Sequence, residues 1–532
     1  MRPIRDYPEP THMLDKNEGR VFTLLVLLAA SVVSAQEPAA EWMAAGTLQT
    51  SNADADDQLG PGGALMGQTL AISRDGSTLA IAAPNEDSEA RGINGDQADN
   101  SAYGAGAVYV FVRKDQTWIQ RAYLKASNTS LLDGFGFAIS LSGDGNTLAV
   151  SANYEDSGAT GIDGDQADET AAEAGAVYVF VRASDSWSQQ AYIKPSNTET
   201  ADRFGFSLAL SDDGSTLAVG AIGEDSAVAT INGDQRDNSA EDAGAVYVFG
   251  RRDGSWSQQA YLKASNTEAG DLYGFCVALS ADGDTLGVCA YDEDSAAEGL
   301  DGDQADNRAG GSGAVYVLER SGATWRQQAY VKASNTTIQA AFGTAIALSA
   351  DGNTMAICAG DEDGLNPGVG AAQWQAHLPS TERTRAPDGS AGAVYVYMRD
   401  GPTWVFDTYI KSSNIGANDT FGSRLALSAD GSVLAAGAPQ EPGGGSGVNP
   451  SVVEASAPES GAVYVFARTA NGWLQEAYVK TTDAAEYDSF GSAVALSGDG
   501  GLLTVAAAGA DGPADDLRDA GAVYLFTRSQ TR

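Results

Sequence analysis

Short apolar runs alternate with polar turns along most of the chain, and the runs come in fours. Between positions 204 and 262 the order is FGFSLAL, an Asp-Gly turn at Asp213-Gly214, TLAVGA, a long polar loop, GAVYVFG and, after another turn, SWSQQAYL. Each run is short, rich in Val, Leu, Tyr and Phe, and bounded by Gly, Asp or Ser, which predicts four strands. The Asp-Gly dipeptide predicts a tight hairpin between the first two. GAVYVF is apolar on both faces, with Val246 and Val248 on one side and Tyr247 and Phe249 on the other. A sheet of such strands has to be covered from above and below.

The unit repeats. GAVYVF or a close variant begins at Gly106, Gly175, Gly244, Gly313, Gly392, Gly461 and Gly521, at spacings of 69, 69, 69, 79, 69 and 60 residues. A second series gives the same number: Met66-Gly67, Phe135-Gly136, Phe204-Gly205, Tyr273-Gly274, Phe342-Gly343, Phe421-Gly422 and Phe490-Gly491. Seven self-similar units, each too small to hold a core alone, predict an all-β, seven-bladed β-propeller of four-stranded antiparallel blades. The last unit stops after its third run, and the missing Trp-containing strand lies at the other end, where Trp42 to Thr50 aligns with Trp118 to Ser127. The N-terminal strand is therefore expected to complete the last blade and close the ring. The chain divides into a leader at residues 1–35 and a single propeller at 36–532.

The leader carries an apolar run of 13 residues, Val21 to Val33, after Arg20 and before the small pair Ser34-Ala35, which predicts an export signal cut before Gln36. An uncleaved N-terminal anchor is the other reading of the same run. Met13 offers an alternative start with a more ordinary charged region. Export implies a secreted, periplasmic or cell-surface location. The sequence has 31 Lys and Arg against 71 Asp and Glu, a formal charge of −40, and the leader takes four of each sign with it. That charge excludes nucleic acid and anionic membrane surfaces as partners. Three cysteines do not make a disulfide scaffold. Cys276 and Cys289 flank one hairpin, so a cross-strand bridge and a pair of small buried thiols both fit, the second more simply.

The pairing of Phe204-Gly205 with Gly220-Ala221, and of Phe421-Gly422 with Gly437-Ala438-Pro439, followed in each case by GAVYVF and a Trp, resembles the FG-GAP repeat of integrin α-subunit heads and of secreted relatives. The resemblance covers most of the chain and implies the propeller fold, with ligands taken at the face bearing the loops between second and third strands. It also implies calcium in the hairpin between first and second strands. Here that hairpin is cut to turns such as Ser142-Gly143-Asp144-Gly145-Asn146, with too few carboxylates for the six to eight oxygens calcium takes.

Acid gathers instead between second and third strands. Four loops repeat a Glu-Asp pair followed by (Asp/Asn)-Gly-Asp-Gln-x-Asp, with oxygen side chains at first, third and sixth positions. Alternating short oxygen donors around a Gly is how hard cations are wrapped, and calcium is the candidate ion. Its candidate ligands are Asp96 and Asp99 in the first loop and Glu155, Asp156, Asp163, Asp165 and Asp168 in the second. Asp234 and Asp237 serve in the third, and Asp301, Asp303 and Asp306 in the fourth. Solvated turns held by side chain–backbone hydrogen bonds are the competing reading.

Two histidines, His12 and His377, exclude a His-based triad or multi-histidine metal site, and no phosphate loop runs from strand to helix. The reading that follows is a monomeric, non-enzymatic adhesion or recognition propeller that binds an extracellular protein or polysaccharide through its top-face loops. A carboxylate-based glycoside hydrolase or polysaccharide lyase is the alternative. The fifth unit departs most from the repeat, replacing the acidic motif with residues Gly364 to Asp388, and Trp374, His377, Arg383 and Arg385 within it form the candidate partner-binding surface. Three triplets, at Asn128, Asn335 and Asn418, fit the N-glycosylation pattern in connections expected to be exposed.

Overall fold

In the computed structural model, residues 40–52, 57–60, 67–373, 375, 378, 383, 389–450, 455–511 and 519–529 are described. The leader and the proposed cleavage site lie outside them, as do Trp374, His377 and Arg385.

Twenty-eight strands form seven four-stranded antiparallel sheets. Blade three is representative: β10 (Phe204–Leu210), β11 (Thr216–Ala221), β12 (Ala245–Arg252) and β13 (Ser255–Leu262) follow one another as a meander. First strands of successive blades touch around the whole circle, so they line the axis and the Trp-bearing fourth strands lie outermost. Among the described residues the buried apolar side chains fall into seven clusters that each span neighbouring blades. Tyr247 and Phe249 pack towards blade two and Val246 and Val248 towards blade four, which is the two-sided burial that GAVYVF predicts. No blade has a core of its own; the core lies between blades.

Two glycines of the repeat set the blade spacing. Gly175, which opens the third strand of blade two, has φ +79°, and a Cβ there would lie 2.2 Å from the carbonyl oxygen of Phe204 in blade three. Gly205, in the bulge of β10, has φ +95°, and its Cβ would lie 2.7 Å from Ser151 of blade two. Both positions need a left-handed backbone and tolerate no side chain.

The ring closes twice. β1 (Trp42–Leu48) pairs antiparallel with β28 (Ala522–Arg528), from Trp42 opposite Arg528 to Leu48 opposite Val523, completing blade seven as expected. Trp42 is buried there and donates through Nε1 to Glu476 of blade six. At the bottom of the axis the seven turns between first and second strands join in a circle. The amides of Arg74, Gly143, Asp212, Ala281, Ala350, Ala429 and Gly498 each donate to the carbonyl of the next, and Gly498 returns to Arg74, all at 2.8–3.0 Å. In each turn a serine hydroxyl and an aspartate organise the backbone, as where Ser142 donates to Asp144 and Asp144 accepts from the Asn146 amide. These turns are plain hairpins.

Deleting residues 36–55 is expected to unfold the whole ring, because blade seven loses its outer strand and Trp42. A thermal melt of the truncated protein that stays within a few degrees of the full chain would refute closure by β1.

Candidate functional site at the top face

The loops between second and third strands share one end of the ring with the connections that carry the chain to the next blade. Each position of the acidic motif has a defined task there, shown best in blade two. Asp163 sits at φ +54° and its Oδ1 accepts from the Tyr192 amide of the fourth strand at 2.9 Å, while the Asp163 amide donates to the Tyr192 carbonyl. The neighbouring Ile162 bridges Ile193, so the loop folds back along the outer strand and covers its edge. Asp165 accepts from the Ala167 amide, Asp168 from the Thr170 amide and Asp156 from the Glu173 amide.

The other loops repeat the arrangement. Asp96 and Asp99 accept from the Ala98 and Glu89 amides, and Asp234 and Asp237 from those of Arg236 and Ala227. In blade four, Asp301 accepts from the Tyr330 amide, Asp303 from that of Ala305, and Asp306 takes a two-pronged contact from the Arg308 guanidinium. Most of these carboxylates accept amides of their own loops, while Asp163 and Asp301 accept from the outer strand and Asp306 from the Arg308 side chain. Among the described residues no group of three or more His, Cys, Asp or Glu side chains converges as a metal cluster.

Glu155, read from the sequence as a cation ligand, is instead buried beneath the loop. Its Oε2 pairs with Lys194 Nζ at 2.9 Å, and both side chains are all but inaccessible. Oε1 accepts from the Tyr192 hydroxyl at 2.7 Å and from Asn128 Nδ2 at 2.9 Å. Asn128 belongs to the connection leaving blade one, and its Oδ1 accepts from the Tyr178 hydroxyl of blade two. One carboxylate thus fastens two strands of its blade to the preceding blade.

The same pair recurs as Glu86–Lys125, Glu224–Lys263, Glu293–Lys332, Glu362–Lys411 and Glu441–Lys480. Each glutamate also takes an asparagine from the preceding connection, Asn52, Asn197, Asn266, Asn335 and Asn414 respectively. Two of the glycosylation candidates, Asn128 and Asn335, are therefore committed to the clasp, and Asn335 is buried; Asn418 is exposed. Blade seven lacks the pair altogether: its register places Gln49 at the lysine position and Thr47 at the tyrosine position, and Ala510 stands for the glutamate. There Tyr524 donates to Asp483 instead. The signal was present in the sequence as six coincident Glu, Tyr-x-Lys and Asn positions and their joint loss in the seventh unit.

A second set of acids lies under the connections. Asp133, Asp202, Asp271, Asp419 and Asp488 are buried, each accepting a backbone amide three residues earlier in the chain. Burial, reinforced in Asp133 by the nearby Glu155 charge, pushes these carboxyls up, to about 7 for Asp133 and Asp271, about 8 for Asp202 and about 6 for Asp419 and Asp488.

In blade five, Arg383 is 2% exposed rather than presented to a partner. Its Nη1 pairs with Glu298 of blade four at 2.6 Å and donates to the Thr336 carbonyl at 3.1 Å, and its Nε donates to the Gln375 carbonyl. With these contacts Arg383 is buried and is not presented to a partner.

Two features of the top face remain open to solvent. Along the channel, the residue after the Phe-Gly or Tyr-Gly pair is Phe137, Phe206 and Phe275 in blades two to four but Thr344, Ser423 and Ser492 in blades five to seven. The three phenylalanines pack in series, with ring centroids 5.3 Å apart, and Tyr291 stacks on Phe275 at 4.5 Å. Opposite them the smaller residues leave an off-axis cavity of about 160 Å³, lined by Tyr291, Asp361, Ser423, Arg424, Glu459 and Ser492 among others. At the junction of blades one and two lies an apolar patch, where Tyr103 is 64%, Leu131 56%, Leu132 54% and Tyr154 37% exposed.

Fold and repeat together define the class: a seven-bladed β-propeller whose top-face loops are clasped by buried ion pairs. Residues 118–180, 187–249, 256–318 and 473–526 match the family model of the FG-GAP repeat, each match running from the fourth strand of one blade to the third of the next. The chain carries FG-GAP repeats in these four stretches, on a seven-bladed propeller. No curated protein matches it. Among solved structures it is similar to the hydrazine synthase of Kuenenia stuttgartiensis, 13% identical over 86% of this chain and 94% of that one, with a TM-score of 0.45. It is also similar to the periplasmic gluconolactonase PpgL of Pseudomonas aeruginosa, 15% identical over 79% and 87%, with a TM-score of 0.40. Likenesses at this level carry no argument about activity.

Replacing Lys194 by Gln is expected to destabilise the protein by about 3–5 kcal/mol, because it leaves Glu155 charged and buried. Glu155→Ala with Lys194→Gln, which copies blade seven, should recover more than half of that loss. Urea midpoints at pH 7 check both, and equal midpoints for single and double variants would show that the pair is not coupled. A second expectation concerns pH. The buried aspartates hold protons more tightly in the folded state than in the unfolded chain, so their contribution is complete below pH 4 and is lost as pH rises through 6 to 8. The melting temperature should therefore be higher at pH 5 than at pH 8 at fixed ionic strength.

Proposed function

We propose that this chain is an exported recognition propeller that takes an extracellular protein or polysaccharide on its top face. The apolar patch at the junction of blades one and two carries this reading. In the other units the corresponding connection is polar or small at Thr200-Ala201, Ala269-Gly270 and Ala417-Asn418 and carries a single large exposed side chain at Ile338-Gln339 and Glu486-Tyr487. At Leu131-Leu132 it is apolar and exposed, beside Tyr103 and Tyr154, on a protein of charge −40. Leu132 sits at φ +66°, the conformation its counterparts Ala201, Gly270, Gln339, Asn418 and Tyr487 also adopt, so the backbone is the repeat's own and the exposed leucine side chain is the departure. Large aromatic and aliphatic side chains exposed together on a rigid scaffold mark interaction sites. Surrounding acid would repel acidic partners and leave neutral or cationic ones.

The test is capture from the extracellular fraction of the source cells, with the wild-type protein and a Tyr103→Ser, Leu131→Ser variant as baits of equal melting temperature. A partner retained by the first and lost by the second is expected. The same partners on both baits, or none on either, would overturn the assignment.

A further inference from the structure

We infer that the off-axis cavity at the channel mouth is a binding site for a single neutral sugar ring. The cavity exists because the repeat changes character around the axis. Blades two to four fill their side with Phe137, Phe206 and Phe275, and blades five to seven put Thr344, Ser423 and Ser492 at the same repeat position. The following position is small or uncharged in every blade except the sixth, where it is Arg424.

Arg424 is buried, and its guanidinium is fixed by donation from Nε to the Ser492 carbonyl at 2.9 Å and from Nη1 to the Ser423 carbonyl at 2.7 Å. Beside it the Ser423 hydroxyl is buried and has no hydrogen-bond partner among the described residues. The hydroxyls of Thr344 and Ser492, by contrast, both bond to backbone carbonyls. An unpartnered buried hydroxyl in a polar cavity calls for a ligand atom or a water. The cavity volume of about 160 Å³ equals about five waters at liquid density and opens towards solvent at the top face.

The lining fixes the ligand class. Asp361 and Glu459 accept hydrogen bonds, Arg424 donates them, and Ser423, Thr420 and Gln440 do both. The Tyr291 ring, backed by Phe275, supplies an apolar wall for the C–H face of a ring. Donors, acceptors and an aromatic wall within one small cavity suit a polyhydroxylated ring. A free carboxylate reaching Arg424 would face Asp361 and Glu459, which line the same cavity, so the neutral sugar is favoured over an acidic one. The inference rests on the top face being the binding face, but not on the apolar patch.

Saturation-transfer NMR and calorimetry on the purified full chain test it, with the methyl pyranosides of glucose, galactose, mannose and N-acetylglucosamine, and with glucuronate. At least one neutral pyranoside should bind saturably. Asp361→Asn should weaken it by about tenfold, the loss of one charge-assisted hydrogen bond, at unchanged melting temperature. Ser423→Ala should weaken it in the same direction, and Glu459→Gln serves as a second rim variant if Asp361→Asn does not fold. The corresponding trisaccharides separate a glycan chain end, which should bind tighter than the monosaccharide, from a free sugar, which should not; either result supports the site. The Tyr103→Ser, Leu131→Ser variant should keep sugar binding, so loss of the captured partner and loss of the sugar are read separately. The inference fails if no sugar of the panel binds, if binding survives both Asp361→Asn and Ser423→Ala, or if glucuronate binds more tightly than every neutral sugar.

Discussion

A glutamate and a lysine buried together beneath the top face of six blades set the terms for everything above them. An ion pair out of water is costly to form and costlier to break, because removing either partner strands the other in a medium that cannot solvate it. Around each pair the fold has gathered a tyrosine hydroxyl, a serine-side backbone amide and an asparagine from the preceding blade, so that few lone pairs remain unmet. The consequence is positional. The loop between second and third strands, the connection from the preceding blade and the outer strand cannot shift independently while that carboxylate holds all three. Blade seven, with Ala510 and Gln49, shows the alternative: when the charge is absent on one side it is absent on both, and Asp483 replaces the asparagine that no longer has a carboxylate to serve.

Much of this was legible in the sequence, and the exceptions share a cause. Seven blades, closure by Trp42–Leu48 and strands apolar on both faces follow from repetition, since any pattern that recurs seven times reports backbone geometry. Glu155 was legible as an acid but not as a buried one, because its partner Lys194 lies 39 positions away, just past the end of the fourth strand. The (Asp/Asn)-Gly-Asp-Gln-x-Asp motif looks like a cation loop for a sound reason, since oxygen atoms that bind calcium also accept amide hydrogens. The register of Asp163 against Tyr192, which gives the aspartate its structural task, is not visible in the motif itself. Arg383 stood in an insertion rich in charge and turn residues, and nothing local announces that its guanidinium reaches Glu298 and the Thr336 carbonyl.

The division between regular and irregular positions is also a division of labour. Residues that recur in every unit serve the ring, down to the aspartates that orient single amides. The features left over, Leu131-Leu132 with Tyr103 and the change from Phe to Ser or Thr along the channel, break the repeat on the face where the loops are held most firmly. A rigid rim lets a few exceptional side chains be presented with little loss of conformational freedom on contact. The acidity of the remainder keeps the protein soluble and makes those exceptions stand out.

The pairing of β1 with β28 also sets a schedule. Trp42 is among the first propeller residues to be made, and its partner Arg528 among the last, so the strand that seals the ring has no edge to join until nearly the whole chain exists. At about 5–20 residues per second that wait is tens of seconds. During it the newly made blades present their two-sided apolar strands without the neighbour that will cover the final gap. A protein of this design closes its ring only once the last blade has been made.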